Sequence, residues 1–317
     1  MRALVWDGAR LRLDRAYPEP RPDPGMALVR VRLAGVCSTD LQILRGYLDF
    51  KGVLGHEFVG EVTAGSPNLL GRRVVGEINF ACGACSYCAR DLSRHCPKRR
   101  TMGIAGADGS FADSVSLPEV NLHPVPDSLP DEEAVFAEPL AAAFEILEQV
   151  PVRRESDVTV LGDGKLGLLC AQVLAGTGAR VRLAGKHPAK LDLARRLGIA
   201  ALDIAGALPA RADVVVEATG SPAGLELALQ LVRPRGTLVL KSTVAGEHRL
   251  SLAPLVVDEV TVVGSRCGRF PPALAALERR SISVAPLVER IYALEDGAEA
   301  ARAAGRSGAL KILLDCR

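Results

Sequence analysis

The arrangement of apolar positions divides the chain into two textures. Up to about residue 145 they come in short β-branched runs separated by proline and glycine, such as the turn cluster Pro18-Glu19-Pro20-Arg21-Pro22-Asp23-Pro24-Gly25. Ala27–Leu33, Phe58–Thr63, Arg73–Val75 and Phe111–Ser116 read as strands, and Met1–Gly8 as a short strand entering a turn. This predicts an irregular, mostly β domain with a long exposed loop around residues 80–100. A helical stretch of Ala, Leu and Glu follows over 131–149, then Pro151 and a charged link.

From Asp157 the rhythm changes. Val158-Thr159-Val160-Leu161 is a continuous apolar run followed by a glycine-rich turn and a helical run to about residue 177. Strand-type runs recur at 180–184, 213–218, 236–241 and 260–264, with helical segments between most of them. Strands alternating with helices imply an α/β domain whose parallel sheet is covered on both faces. After about residue 270 the alternation fades, and Leu310-Lys311-Ile312-Leu313-Leu314 reads as a strand that rejoins the first domain.

Length and composition narrow the functional classes. A chain of 317 residues, 48% apolar and 24% charged, is expected to form two globular domains, each able to bury its own core. A net charge of +2 supplies no global field for nucleic acid or anionic lipid. No apolar run approaches the ~18 residues of a membrane helix, and the N-terminal stretch lacks the apolar core of a signal peptide. The expected address is the cytoplasm, with neither membrane nor nucleic acid as a partner.

Eight cysteines bring in the chemistry. Cys82, Cys85, Cys88 and Cys96 follow a Cys-x2-Cys-x2-Cys-x7-Cys pattern, a spacing that closes a tetrahedron of thiolates around one structural zinc. Such a closed site braces its loop and does no chemistry. Cys37, in Gly35-Val36-Cys37-Ser38-Thr39-Asp40, and His56, in Gly55-His56-Glu57, are bland singly. With Glu138, in Ala137-Glu138-Pro139-Leu140, they offer sulfur, imidazole and carboxylate, the three-ligand set of a catalytic zinc with one open position. Cys170, Cys267 and Cys316 read as packing residues, and His95, His123 and His248 as solvated side chains without partners.

The glycine turn Gly162-x-Gly164-x-x-Gly167 ends a strand and opens a helix, the context of a dinucleotide site. Gly162 permits the turn, Gly164 admits a pyrophosphate, Gly167 lets helix and sheet approach, and Lys165 and Leu166 open the helix whose N-terminus favours an anion. An acid ~20 residues after the first glycine would hold the ribose 2′-hydroxyl of NAD. This chain has Gly185-Lys186-His187 there instead, leaving room and positive charge for the 2′-phosphate of NADP. NADP is therefore favoured, with NAD the alternative.

In order along nearly the whole chain, these motifs resemble the zinc-dependent medium-chain alcohol dehydrogenases, particularly the sorbitol, threonine and polyol branch. The resemblance implies a GroES-like catalytic domain over 1–145, completed by 275–317, and a Rossmann domain inserted over 146–274. It implies two zincs per chain, with Cys37 and His56 as catalytic ligands and either Glu138 or Glu57 as the third protein ligand. It implies further that Asp40 orients the ligand histidine, that Thr39 bonds the substrate oxygen, and that Lys311 lies near the cofactor phosphates. A dimer or tetramer acting on a small alcohol or carbonyl compound is the expected assembly. Many relatives carry a proton-passing histidine five residues after the first ligand; this chain has Gln42, which does not titrate. The stretches 37–56 and 65–75 look trimmed. Two rivals are a metal-independent NADPH quinone or enone reductase and a non-enzymatic redox-sensing or structural protein. The joint presence of Cys37, His56, Glu138 and the glycine turn opposes both.

Overall fold

A computed structural model describes residues 1–206, 208–244 and 250–317; His248 lies outside them. The chain separates into two compact units. One comprises Met1–Glu138, Ala273–Glu278 and Leu287–Arg317, and the other Pro139–Pro272 and Arg279–Pro286.

The first unit is built on a seven-stranded sheet centred on Met26–Gly35. That strand alternates cleanly, with Ala27, Val29, Val31 and Leu33 buried, as a strand with one face on a core requires. Glu57–Ala64 pairs antiparallel along one edge of it. On its other side it pairs with Lys311–Asp315, so the C-terminal strand does rejoin the first domain. Ser114–Pro118 pairs with the start of the same central strand, a later beginning than the apolar run from Phe111 predicts. The expected helix over 131–149 is two helices, Asp131–Ala134 and Ala137–Gln149. Pro139 explains the break, because it has no N–H to donate to the preceding turn and is tolerated only near a helix start.

The second unit contains a six-stranded, all-parallel sheet. Its spatial order is Ala200–Asp203, Arg180–Gly185, Asp157–Leu161, Ala212–Glu217, Val232–Leu240 and Thr261–Gly264. In chain order this is 3-2-1-4-5-6, the doubly wound Rossmann arrangement that places ligands at the carboxyl ends of the strands. Asp157–Leu161 is central, which is why its apolar run is unbroken: Val158, Thr159, Val160 and Leu161 are all buried. No helix among the described residues is long and apolar enough to cross a membrane.

Candidate active site and metal centres

Strand register assembles the first site. Gly35, at the end of the central strand, lies opposite Glu57 on one side and Leu313 on the other. Cys37 follows that strand by two residues, and His56 immediately precedes its neighbour. Ligand atoms of Cys37, His56 and Glu57 consequently lie within 4.8 Å of one another, although Cys37 comes from a different segment than the adjacent His56 and Glu57. Asp40 ties the cluster together. Its Oδ2 accepts from the Cys37 backbone N–H at 2.8 Å, and its Oδ1 lies 3.3 Å from His56 Nδ1. That second contact is not aligned as a hydrogen bond, so Asp40 Oδ1 and His56 Nδ1 both remain unpartnered, as does Glu57 Oε1. Burial opposes protonation of His56, but the Asp40 carboxylate and the Cys37 sulfur outweigh it and raise the imidazole well above its ordinary value.

Lys311 is the unexpected member. It is buried, and its ammonium pairs with Glu57 Oε2. Position 35 makes this pairing feasible: any Cβ there would overlap Glu57 Oε2. The Lys311 side chain also lies over the Phe136 ring, 5.5 Å from its centre. Glu138 is half-buried and outside the compact Cys37–His56–Glu57 group. Thr39 is half-buried beside the site, its hydroxyl 3.7 Å from the Cys37 sulfur.

Glu57 Oε1, buried and unpartnered beside a sulfur and an imidazole, fits a divalent cation, because such a group is costly to bury unless something engages it. The donor set is that of a zinc site with room for a further ligand.

The second centre is the Cys82, Cys85, Cys88 and Cys96 group, also within 4.8 Å. Cys85 lies 3.5 Å from Cys88 and 3.8 Å from Cys96, sulfur to sulfur. No disulfide forms; all four are free thiols. Backbone N–H groups of Ala84 and Cys85, with the Cys96 side chain, pull the Cys82 thiol down to about 6. Four sulfurs so grouped suit zinc and give no open position. Cys170 and Cys316 are buried, in keeping with packing roles, and Cys267 is half-buried. His123 departs from expectation: it sits on the short strand Leu122–Pro124 with Nε2 3.1 Å from Glu77.

In the second unit, Gly162 has a left-handed φ of +119° and ends the strand Asp157–Leu161; a Cβ there would come 2.5 Å from the Ala218 carbonyl. A Cβ on Gly167 would overlap the Gly162 carbonyl oxygen, whereas the space over Gly164 is open. The helix Lys165–Ala175 starts there with Lys165 and Leu166 half-buried, the arrangement that receives a pyrophosphate. Lys186 is exposed and His187 half-buried. Sequence reasoning passed over Asp163. It is 5% exposed, and its Oδ2 accepts from the backbone N–H groups of Lys186 and His187 at 2.8 and 2.7 Å. An acid inside the glycine turn, paired with the missing acid twenty-odd residues on, was the signal available.

Comparison with known proteins agrees with this geometry. Residues 23–127 match the alcohol dehydrogenase GroES-like domain, and 166–279 the zinc-binding dehydrogenase family. An L-threonine 3-dehydrogenase of Streptomyces avermitilis is 32% identical over 94% of both chains. The chain belongs to the zinc-containing medium-chain alcohol dehydrogenases. A sorbitol dehydrogenase of Halalkalibacterium halodurans is 29% identical over 94% of this dehydrogenase and 93% of its own length. Among solved structures, the alcohol dehydrogenase TADH from Thermus sp. ATN1 is 31% identical, with a TM-score of 0.89 over the whole of both chains. Two further structures carry different cofactors. An Escherichia coli CFT073 dehydrogenase complexed with NADH is 25% identical, with a TM-score of 0.90 and 99% of both chains covered. A Sinorhizobium meliloti zinc-binding dehydrogenase bound to NADP is 26% identical, with a TM-score of 0.89, covering 99% of this chain and 98% of its own. The dehydrogenase is thus a zinc-dependent NAD(P) alcohol or polyol dehydrogenase with a GroES-like domain and a Rossmann-like sheet.

Proposed function

We propose that this dehydrogenase interconverts a secondary alcohol or polyol and its carbonyl compound, with NADP as the preferred cofactor. The observation that carries the reading is the convergence of Cys37, His56 and Glu57, with the buried Glu57 Oε1 left unpartnered. Zinc held there supplies a Lewis acid that makes the substrate hydroxyl more acidic, and the nicotinamide supplies the hydride acceptor.

The chain's own residues do the positioning. Asp40 bridges the Cys37 backbone and the His56 ring, so one carboxylate orients two ligands. Lys311 holds one oxygen of Glu57 and leaves Oε1 for the metal. Glu138 serves as the alternate carboxylate donor. Thr39 Oγ1 accepts the substrate hydroxyl proton and passes on its own. Gln42 does not titrate, so it cannot carry that proton onward.

For the cofactor, the end of strand Arg180–Gly185 offers no carboxylate of its own, and the exposed Lys186 follows it. A carboxylate has about four acceptor directions. Those of Asp163 face the Lys186 and His187 N–H groups, the His187 ring and the Lys190 ammonium, so little remains for a ribose hydroxyl.

The test couples metal counting to turnover. Wild-type protein should hold two zincs per chain and reduce NADP with members of a panel of polyols, amino-alcohols and secondary alcohols. Cys37→Ser should retain one zinc and lose turnover. Unchanged metal content with persisting activity would remove Cys37 from the site. Lys186→Glu should lower NADP turnover relative to NAD, and an unchanged ratio would count against the cofactor assignment.

A further inference from the structure

The dinucleotide fold consists of two mononucleotide-binding halves, with the ligand held outside the carboxyl ends of the strands. The glycine turn and the strand Arg180–Gly185 belong to the adenosine half. The strands Ala212–Glu217, Val232–Leu240 and Thr261–Gly264 form the other half, so their carboxyl ends serve the nicotinamide nucleotide. A cation is buried there. Lys241 directly follows Val232–Leu240 and is 8% exposed. Its backbone N–H donates to the Glu217 carbonyl at 2.9 Å, and the Ser265 N–H donates to the Leu240 carbonyl at 3.0 Å, which stitches the three strand ends together.

The Lys241 ammonium donates to the Ala142 carbonyl at 2.7 Å, the Arg266 carbonyl at 3.1 Å and the Ser265 hydroxyl at 3.2 Å. An ammonium has three N–H donors, and these acceptors match them. Ala142 lies in the helix Ala137–Gln149, and Ser265 and Arg266 follow the strand Thr261–Gly264; all four residues belong to the second unit. Helix and loop meet backbone to backbone. A Cβ on Gly268 would overlap the Ala141 carbonyl oxygen, and Gln149 Nε2 donates to the Gly264 carbonyl at 3.1 Å. Burial pushes the Cys170 thiol up to about 11 and Lys241 draws it partly back, so the ammonium is also felt by the helix Lys165–Ala175 that opens at the glycine turn. A packed apolar side chain would join these segments about as well as a buried cation does. Lysine adds direction: three aimed bonds hold helix, loop and strand end in one arrangement, at the end of the sheet where the ligand lies.

We propose that Lys241 positions the nicotinamide end of the cofactor: its ammonium locks the helix Ala137–Gln149 and the segment 265–268 against the strand ends of the second half of the crevice. It is a positioning residue, acting through those backbone segments rather than on the reacting atoms. Hydride transfer needs the ring at a fixed distance and angle, so a small shift of these segments costs rate as well as affinity. The inference rests on NAD(P) binding and not on the NADP preference proposed above.

The experiment compares the whole cofactor with its adenosine half on zinc-loaded protein. Dissociation constants are measured for NADPH by reduced-nicotinamide fluorescence and for 2′,5′-ADP by calorimetry, with NADH and 5′-AMP as a parallel pair. Lys241→Met keeps the length of the side chain and removes the donors. It should weaken NADPH roughly 10-fold, the scale of one hydrogen bond from a charged group, and leave 2′,5′-ADP unchanged. The fluorescence enhancement of bound NADPH should fall with it. Ser265→Ala keeps the cation and removes one acceptor, so it should show a smaller loss with the same selectivity. Equal weakening of NADPH and 2′,5′-ADP would mean that Lys241 supports the unit as a whole, and unchanged NADPH affinity in folded Lys241→Met would mean that it does not shape the site; either result overturns the proposal. If Lys241→Met does not fold, Ser265→Ala decides on the same criteria. A wild type that binds NADH more tightly than NADPH overturns the NADP preference alone, and the NADH and 5′-AMP pair then judges Lys241.

Discussion

Glu57 and Lys311 meet across a glycine, and both are 1% exposed. A buried ion pair adds little beyond a packed apolar pair, but removing one partner leaves a charge stranded in low dielectric. Lys311→Met should therefore destabilise the protein by about 3–5 kcal/mol in urea melts. Adding Glu57→Gln should return part of that loss, because the stranded charge goes with it; strictly additive losses would show that the two side chains do not act as a pair. Catalysis separates the roles at the same scale. Asp40→Asn keeps an acceptor for the Cys37 N–H but removes the negative charge beside His56. It should retain two zincs at saturating metal, bind the catalytic one roughly 10–100-fold more weakly, and lose turnover in parallel. Zinc titration against a competing chelator checks this, and wild-type affinity would mean that Asp40 does not orient the ligand.

Elements with a plain physical signal were legible, and those without one were not. The central strands Met26–Gly35 and Asp157–Leu161 announce themselves by alternation and by an unbroken apolar run, each matching its burial. Strand Ala200–Asp203 escaped because it lies at the sheet edge, is mostly exposed, and has too little apolar content to stand out. The four-cysteine lobe was readable from spacing alone, since its ligands are close in sequence. The catalytic cluster was readable only as candidates: choosing Glu57 as its compact carboxylate needs the Gly35↔Glu57 register, which no local pattern carries. The Lys311–Glu57 pair was hidden for the same reason, because a cation more than 250 residues away reaches Glu57 only through the C-terminal strand. The lobe itself rests on short turns, Cys88–Arg90 and Ser93–His95, neither of which buries a residue, so metal should supply much of its order. Cys96 is its buried ligand. Cys96→Ser should lower Tm and open the 80–100 region to limited proteolysis, while freshly prepared protein keeps its KM. A raised KM with unchanged Tm would contradict a purely structural role.

At the scale of the whole molecule, several carboxylates that secure the second unit are held below their ordinary values. Arg180 does this for Asp157, whose Oδ1 it meets at 2.8 Å. The Asp157 backbone N–H and Arg233 do it for Asp213. For Asp163 burial works the other way, but the His187 and Lys186 hydrogen bonds outweigh it. Groups lowered in the folded state bind protons less readily there than in the unfolded chain. Their contribution is therefore complete above the unfolded value of about 3.9 and is lost as pH falls through the lower folded values. The contribution of these carboxylates to the unfolding free energy should accordingly be level near neutrality and decline below about pH 4. Salt divides the contributors. The Asp157–Arg180 pair is exposed and largely screened at about 0.5 M salt, whereas Asp163 is buried and keeps its effect. In urea melts across pH at that salt, Asp163→Asn should flatten the acid decline and Asp157→Asn should not. Both variants retain every metal ligand, so acid loss of zinc cancels in the comparison. Equal slopes for the two variants would show that the buried carboxylate in the glycine turn does not carry the acid sensitivity of this unit.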